Sequence, residues 1–203
     1  MPDKFAIDYQ RVLITMSLLQ DVEDSDYTKQ HSLRVGRLTK KICEEYGFDN
    51  SKCLFYTRTA YFHDVGKIKL TKKVLFKAGI LTDDEYTEMK KHPAYSRDIL
   101  INLGLPKEAE VAIQHHERLD GSGYPFGLKE IEIDMGAKII AVADVFDAMT
   151  ADRPYRKSCD VTDALLYLYS KSDEHYDIDV VKALHQVLLT DKKIKNNIDI
   201  YKL

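Results

Sequence analysis

Three cysteines in 203 residues, an odd number with no CxxC pairing, leave little room for a disulfide framework or a thiolate metal site, so Cys43, Cys53 and Cys159 read as reduced thiols. No apolar run approaches the roughly 20 residues that span a bilayer. The opening stretch "MPDKFAIDYQRVLITMSLLQDVEDSD" lacks the basic-then-apolar layout of a signal peptide. No charge of one sign dominates either, since the formal net charge is -3. The lysines of "LTKKVLFK", "MKKHP" and "DKKIKNN" are interrupted or flanked by acids and read as solvated helix faces. Internal repeats, low-complexity segments, a convincing strand series and a Ser-His-Asp or Cys-His nucleophile pattern are all missing. Together these absences argue against a secreted disulfide scaffold, a membrane protein and a nucleic-acid polymer binder. The expectation is a cytoplasmic protein.

What is present is helical. With 44% hydrophobic and 31% charged residues the chain is long enough to close one core, which predicts one domain and places any sensory input elsewhere. Val35, Leu38 and Ile42 fall three and four apart, with His31 on the same stripe one turn earlier. Thr82 and Glu85 form a capping-box pattern that opens a helix towards His92, where Pro93 disturbs or restarts it. Leu105-Pro106 reads as another start, with Ala109, Ala112, Ile113 and His116 in helical register up to the glycine loop. Ile139, Val142, Val145, Phe146 and Met149 make a stripe around Asp144. Asp160 caps a helix carrying Ala164, Leu165 and Leu168, and Val180, Leu184, Val187 and Leu188 make a last one. The reading is an all-α domain over residues 25–190, with short β-like pairs in 121–136. An N-terminal helix over 1–24 (stripe Phe5, Tyr9, Val12, Met16, Leu19) covers the core or pairs with another chain, and residues 191–203 form a tail.

On this scaffold sit seven donors of only two types: His31, His63, Asp64, His92, His115, His116 and Asp144. Seven donors from five segments exceed what one open catalytic metal takes from protein. They suit two ions, about 3.5–4 Å apart, bridged by a carboxylate and a hydroxide. Adjacent histidines point about 100° apart in a regular helix. His115 and His116 in "HHERLDGSGYP" therefore both reach inward only where the helix breaks, and the glycines supply that break. Iron or manganese suits these donors first, with nickel, zinc or cobalt as further candidates. His175 and His185 belong to no such pattern and read as core hydrogen-bonding groups.

In this order and spacing, "HDVGK", "LTDDEYTEMKKHP", "HHERLDGSGYP" and "VADVFDAMTADRPYR" closely resemble the HD-GYP family, a branch of the HD-domain metal-dependent phosphohydrolases. The resemblance covers roughly residues 25–190. It implies an HD-domain helical bundle with additional C-terminal helices, acting as a phosphodiesterase of the bacterial second messenger cyclic di-GMP. It assigns His31, His63, Asp64 and Asp144 to one metal, and Asp64 as a bridge to a second held by His92, His115 and His116. A metal-bridged hydroxide would attack phosphorus to give pGpG, or GMP after a second cleavage. Lys67 would stand beside the scissile phosphate, neutralising charge on its oxygens. Gly123, Tyr124, Asp147, Arg153 and Arg156 are placed near the substrate. The two arginines fit ion pairs with surface acids equally well, Tyr124 either stacks on a base or packs under its loop, and Glu117 either orients a histidine or caps a helix.

The chain also departs from the family pattern. Tyr27 stands where some members carry an acid for a third metal, so two ions are expected, although Glu23 and Asp24 lie nearby. Ser96 replaces the glycine of HPxxG. Leu70-Thr71 and Asp134-Met135 replace Ile-Pro or Val-Pro, and "HYDIDVV" replaces the usual Phe-Asp-Pro. The alternatives to the leading reading are hydrolysis of a related cyclic dinucleotide or linear nucleotide, and a non-catalytic adaptor that binds cyclic di-GMP. A diguanylate cyclase or a sensory protein is the expected partner.

Overall fold

Val35 and Ile42 are fully buried and Leu38 nearly so, along one face of the helix Ser25–Glu45 (α1), with His31 buried one turn before Val35. The computed structural model describes residues 25–77, 79–151 and 158–190. Among these the chain is all-α, as its periodicity predicts, and contains no strand. After α1 come α2 (Asn50–Phe62), α3 (Lys72–Leu75), α4 (Asp83–Met89), α5 (His92–Asn102), α6 (Pro106–Ala112), α7 (Met135–Thr150), α8 (Val161–Ser170) and α9 (Ile178–Thr190). Short 3-10 turns lie at Val65–Lys69 and Glu130–Glu132. The β-like pairing expected in 121–136 reduces to one antiparallel bridge, Asp120 to Lys129. The N-terminal helix expected over 1–24 and the tail over 191–203 lie outside the described residues.

Local chemistry sets the helix ends. The Thr82 hydroxyl accepts from the Glu85 amide while the Glu85 carboxylate accepts from the Thr82 amide, closing the capping box that opens α4. Asp49 and Asp160 cap α2 and α8 by accepting from the amides of Lys52 and Thr162. Proline in the first turn of α5 and of α6 costs no hydrogen bond, because the amides there have no helical partner.

Two apolar clusters result. The larger joins α1, α2, α7, α8 and α9 through residues such as Ile42, Tyr56, Ile139, Phe146, Leu168 and Leu184. The smaller joins the end of α2 to α5 and α6 through Phe62, Val65, Leu100, Leu105 and Ala109. Helices of the large cluster supply His31 and Asp144, whereas His63, Asp64, His92 and His115 flank the small one. The chemistry-bearing side chains meet at the junction of the two.

Cys43 and Cys53 are buried, Cys159 is half-buried, and all three are free thiols. Burial pushes the Cys43 thiol up to about 12, which keeps it protonated and unreactive.

Candidate metal centre

α2 ends at Phe62, and the chain then tightens into the 3-10 turn Val65–Lys69. His63 and Asp64 therefore leave the helix end together. The His63 ring bonds through Nδ1 to the Ala60 carbonyl at 2.7 Å, which turns Nε2 inward. His92 at the start of α5 does the same with the Met89 carbonyl at 2.8 Å, and His115 with the Ala112 carbonyl at 2.7 Å. In each case the backbone three residues upstream fixes the ring and its tautomer. His31, inside a regular helix, has no such carbonyl to spare. Its Nδ1 bonds instead to Asp147 Oδ2 at 2.7 Å.

The inward nitrogens converge on Asp64. Its Oδ1 lies 3.1 Å from His92 Nε2 and 3.7 Å from His115 Nε2, and its Oδ2 lies 3.5 Å from both His31 Nε2 and His63 Nε2. One carboxylate thus faces a different pair of imidazoles with each oxygen. Asp144 Oδ1 approaches His31 at 3.1 Å and His63 at 3.8 Å. His116 completes the other half: the donor atoms of Asp64, His92, His115 and His116 lie within 4.8 Å of one another, as do those of His31, His63 and Asp64.

α6 stops at Ala112, four residues short of the register that carries through His116. From there the amides of Gln114, His115 and Glu117 bond three residues back rather than four. The tighter winding lets two consecutive imidazoles enter one cavity.

The charge balance of the cluster is that of a cation site. Burial opposes ionisation of Asp64, yet Lys67 and the surrounding histidines hold its carboxyl well below the usual range; burial likewise opposes ionisation of Asp144, and His31 and His63 outweigh it. Burial works against a charged His31, but Asp144, Asp147 and Asp64 draw a proton to it. His115 and His116 are pushed well down, first by burial and then by neighbouring imidazoles, and so present neutral lone pairs. His63 Nε2 and Asp64 Oδ1 are buried without a hydrogen-bond partner among the described residues. Removing ions from water costs several kcal/mol each after relaxation. A cluster of two carboxylates and five imidazoles with orphaned inward atoms fits divalent-metal binding and has no value as packing.

The neighbouring residues take roles the sequence did not assign. Asp147, expected at the substrate, is buried behind His31, with Oδ1 accepting from Arg34 Nε at 2.7 Å and Oδ2 from Arg34 Nη2 at 3.0 Å. Both its oxygens are thus engaged by His31 and Arg34. Glu117 neither orients a histidine nor caps a helix. Its carboxylate accepts from the amides of Phe126 at 2.7 Å and Leu128 at 2.9 Å, pinning the far side of the glycine loop. Gly123 passes so close to that turn that a Cβ would come within 2.4 Å of the Arg118 amide nitrogen and Glu117 Cα. Close approach alone accounts for glycine there. Tyr124 stacks on His116, with centroids 4.7 Å apart and planes 27° apart. Lys67 donates to Asp64 Oδ2 at 2.5 Å with its side chain a quarter exposed, so it reaches both the cluster and the open side. Arg153, Arg156 and the Tyr27 side chain lie outside the described residues. His185 bonds the Tyr169 hydroxyl at 3.0 Å, and His175 lies 3.6 Å from Asp120; both are half-buried, outside the core in which they were expected.

Ser96 is the residue that sequence reasoning passed over as mere divergence. It is fully buried, accepts from the Gly66 amide at 2.8 Å and donates to the His63 carbonyl at 2.8 Å, tying the HD turn to α5. A Cβ at Gly66 would lie 2.1 Å from the His92 carbonyl oxygen, so only glycine permits this contact.

A family model described as "HD domain" matches residues 15–180. The chain belongs to the HD domain family. Its HDVGK and GYP motifs place it in the HD-GYP branch of HD domain proteins. A cyclic di-GMP phosphodiesterase of Thermotoga maritima is 39% identical over 188 residues, covering 89% of this chain and 51% of that protein. A 3'3'-cGAMP-specific phosphodiesterase 3 of Vibrio cholerae is 36% identical over 165 residues, covering 81% of this chain and 36% of that protein. The HD domain chain thus spans about half or less of the curated relatives it matches. Among solved structures, Bd1817, an HDG"Y"P protein from Bdellovibrio bacteriovorus, superposes with a TM-score of 0.67 at 20% identity, covering 86% of this chain and 56% of that one. This likeness establishes the fold. No helix among the described residues is long and apolar enough to cross a membrane.

Proposed function

We propose that this HD domain is a metal-dependent phosphodiesterase that hydrolyses cyclic di-GMP to pGpG and then GMP, using two divalent ions. The observation that carries the reading is Asp64, whose two oxygens face two different sets of imidazoles. His31, His63 and Asp144 would hold one ion, His92, His115 and His116 the other, and Asp64 both. Such a pair of ions, when bound, lowers the pKa of water and withdraws charge from phosphoryl oxygens. The protein's own part is orientation and charge. The Nδ1 bonds aim the inward rings before substrate arrives, and the Lys67 ammonium, part-exposed beside Asp64, would meet the phosphoryl oxygens from the open side. The name of the Thermotoga relative supports cyclic di-GMP as substrate, and that of the Vibrio relative makes 3'3'-cGAMP the second reading. A non-catalytic adaptor is disfavoured, because a binding module gains nothing from a buried cluster that costs this much to desolvate.

The test is metal content measured anaerobically together with turnover of a panel of cyclic dinucleotides. Two ions per chain and cleavage of cyclic di-GMP are expected, with both lost in Asp64→Ala. Lys67→Ala is expected to lower kcat by about 10²–10³, the scale of losing one fixed electrostatic donor. Equal dinucleotide binding by wild type and Asp64→Ala with turnover by neither would establish the adaptor instead.

A further inference from the structure

A ladder of rings leads from the cluster to the surface. His116 stacks on Tyr124, the Lys90 ammonium lies 5.7 Å from the centre of the Tyr124 ring, and the same ammonium lies 4.5 Å from the centre of the Tyr86 ring. Tyr86 is half exposed, so the ladder opens to solvent. Lys90 caps the end of α4, two residues before His92.

Neighbouring lysines are spent on carboxylates. Lys91 donates to Glu88 at 2.6 Å, Lys77 pairs with Glu85, and Lys73 lies 3.9 Å from the same Glu85. Among the described residues no carboxylate stands in an ion pair with Lys90, and its close neighbours are the two tyrosine faces. An aromatic face attracts an ammonium through its quadrupole without cancelling its charge. Lys90 is therefore a positioned cation still able to take an anion. It stands on the His92, His115 and His116 half of the cluster, whereas Lys67 stands at Asp64 Oδ2, the oxygen shared with His31 and His63.

A cyclic dinucleotide carries two phosphodiesters, and only one is cleaved at a time. Resting on the function proposed above, we infer that Lys90, held between Tyr86 and Tyr124, binds the phosphodiester that is not being cleaved and so selects cyclic dinucleotides over diesters with a single phosphate. It is a specificity residue rather than a catalytic one, because it acts on a group that keeps its bonds.

The experiment compares wild type, Lys90→Ala and Lys90→Arg, all metal-loaded, on cyclic di-GMP and on methyl p-nitrophenyl phosphate, which has one phosphate. Lys90→Ala is expected to raise KM for the dinucleotide about tenfold or more, the worth of one hydrogen bond to a charged group, with kcat little changed. KM for the small diester should move by much less, and Lys90→Arg should restore most of the discrimination. Equal dinucleotide KM in wild type and Lys90→Ala overturns the inference, and so does a KM rise of the same size for both substrates, which would indicate general distortion of the site. A wild type that cleaves the small diester but none of a panel of cyclic dinucleotides overturns the underlying reading, and the inference with it.

Discussion

Asp147 does for His31 what backbone carbonyls do for His63, His92 and His115: it accepts from Nδ1 and leaves Nε2 free to point inward. The difference lies in where each histidine sits. Three stand at helix ends, where carbonyls lack helical partners, and His31 stands within α1, where carbonyls are committed. Asp147 is itself fixed by the Arg34 fork. An asparagine there keeps the shape but has a single acceptor oxygen, so Arg34 and His31 must compete for it. Asp147→Asn is expected to weaken metal affinity roughly 10–100-fold, as losses of this kind of supporting carboxylate do. A chelator-competition titration checks it, and unchanged affinity with an intact fold would return Asp147 to a role at the substrate.

At the scale of elements, two side chains decide whether the ligand segments stay in register. Ser96 bridges the His63 carbonyl and the Gly66 amide, and so couples the end of α2 to α5. Ser96→Ala leaves that buried amide and carbonyl without their partner, at a cost of about 1–3 kcal/mol. Urea denaturation should show the loss as a lower midpoint at unchanged m-value. Glu117 ties the turn after α6 to Phe126 and Leu128 across the glycine loop. Glu117→Ala frees two amides on a part-exposed loop where water can replace the carboxylate, so stability should fall less than for Ser96→Ala. The loop that positions Tyr124 on His116 should loosen all the same. The expected signature is a raised KM for cyclic dinucleotide, measured beside the same urea transition; unchanged KM would mean that the loop holds itself.

For the molecule as a whole, the cluster sits where the two apolar cores meet, drawing ligands from both. Divalent ions held there would link the cores and, as ligands of the folded state alone, would stabilise it. At a free-ion concentration about a hundred times Kd this linkage adds roughly 2.7 kcal/mol. Stripping the protein with a chelator should therefore lower its thermal midpoint by several degrees, and restoring divalent ions should raise it again. A midpoint indifferent to both would remove the metal reading at its root.

The convergence of His31, His63, Asp64, His92, His115, His116 and Asp144 was legible because they lie in short motifs with distinctive neighbours, and the fold because the helix stripes of Val35–Ile42 and Val180–Leu188 show their period plainly. Capping patterns at Thr82 and Asp160 were equally readable, since a cap acts within four residues. The roles of Asp147, Ser96, Glu117 and Lys90 were not. Each depends on a partner brought close only by folding: Arg34 lies 113 residues from Asp147, and Gly66 lies 30 residues from Ser96. Periodicity and motif spacing report local geometry, so the helices, their starts and the residue types able to ligate followed from the chain's local order alone. Which oxygen of Asp64 faces which imidazoles, and that Asp147 stands against His31 and Arg34, was decided by tertiary packing. Those relations depend on distances between segments that no local pattern encodes.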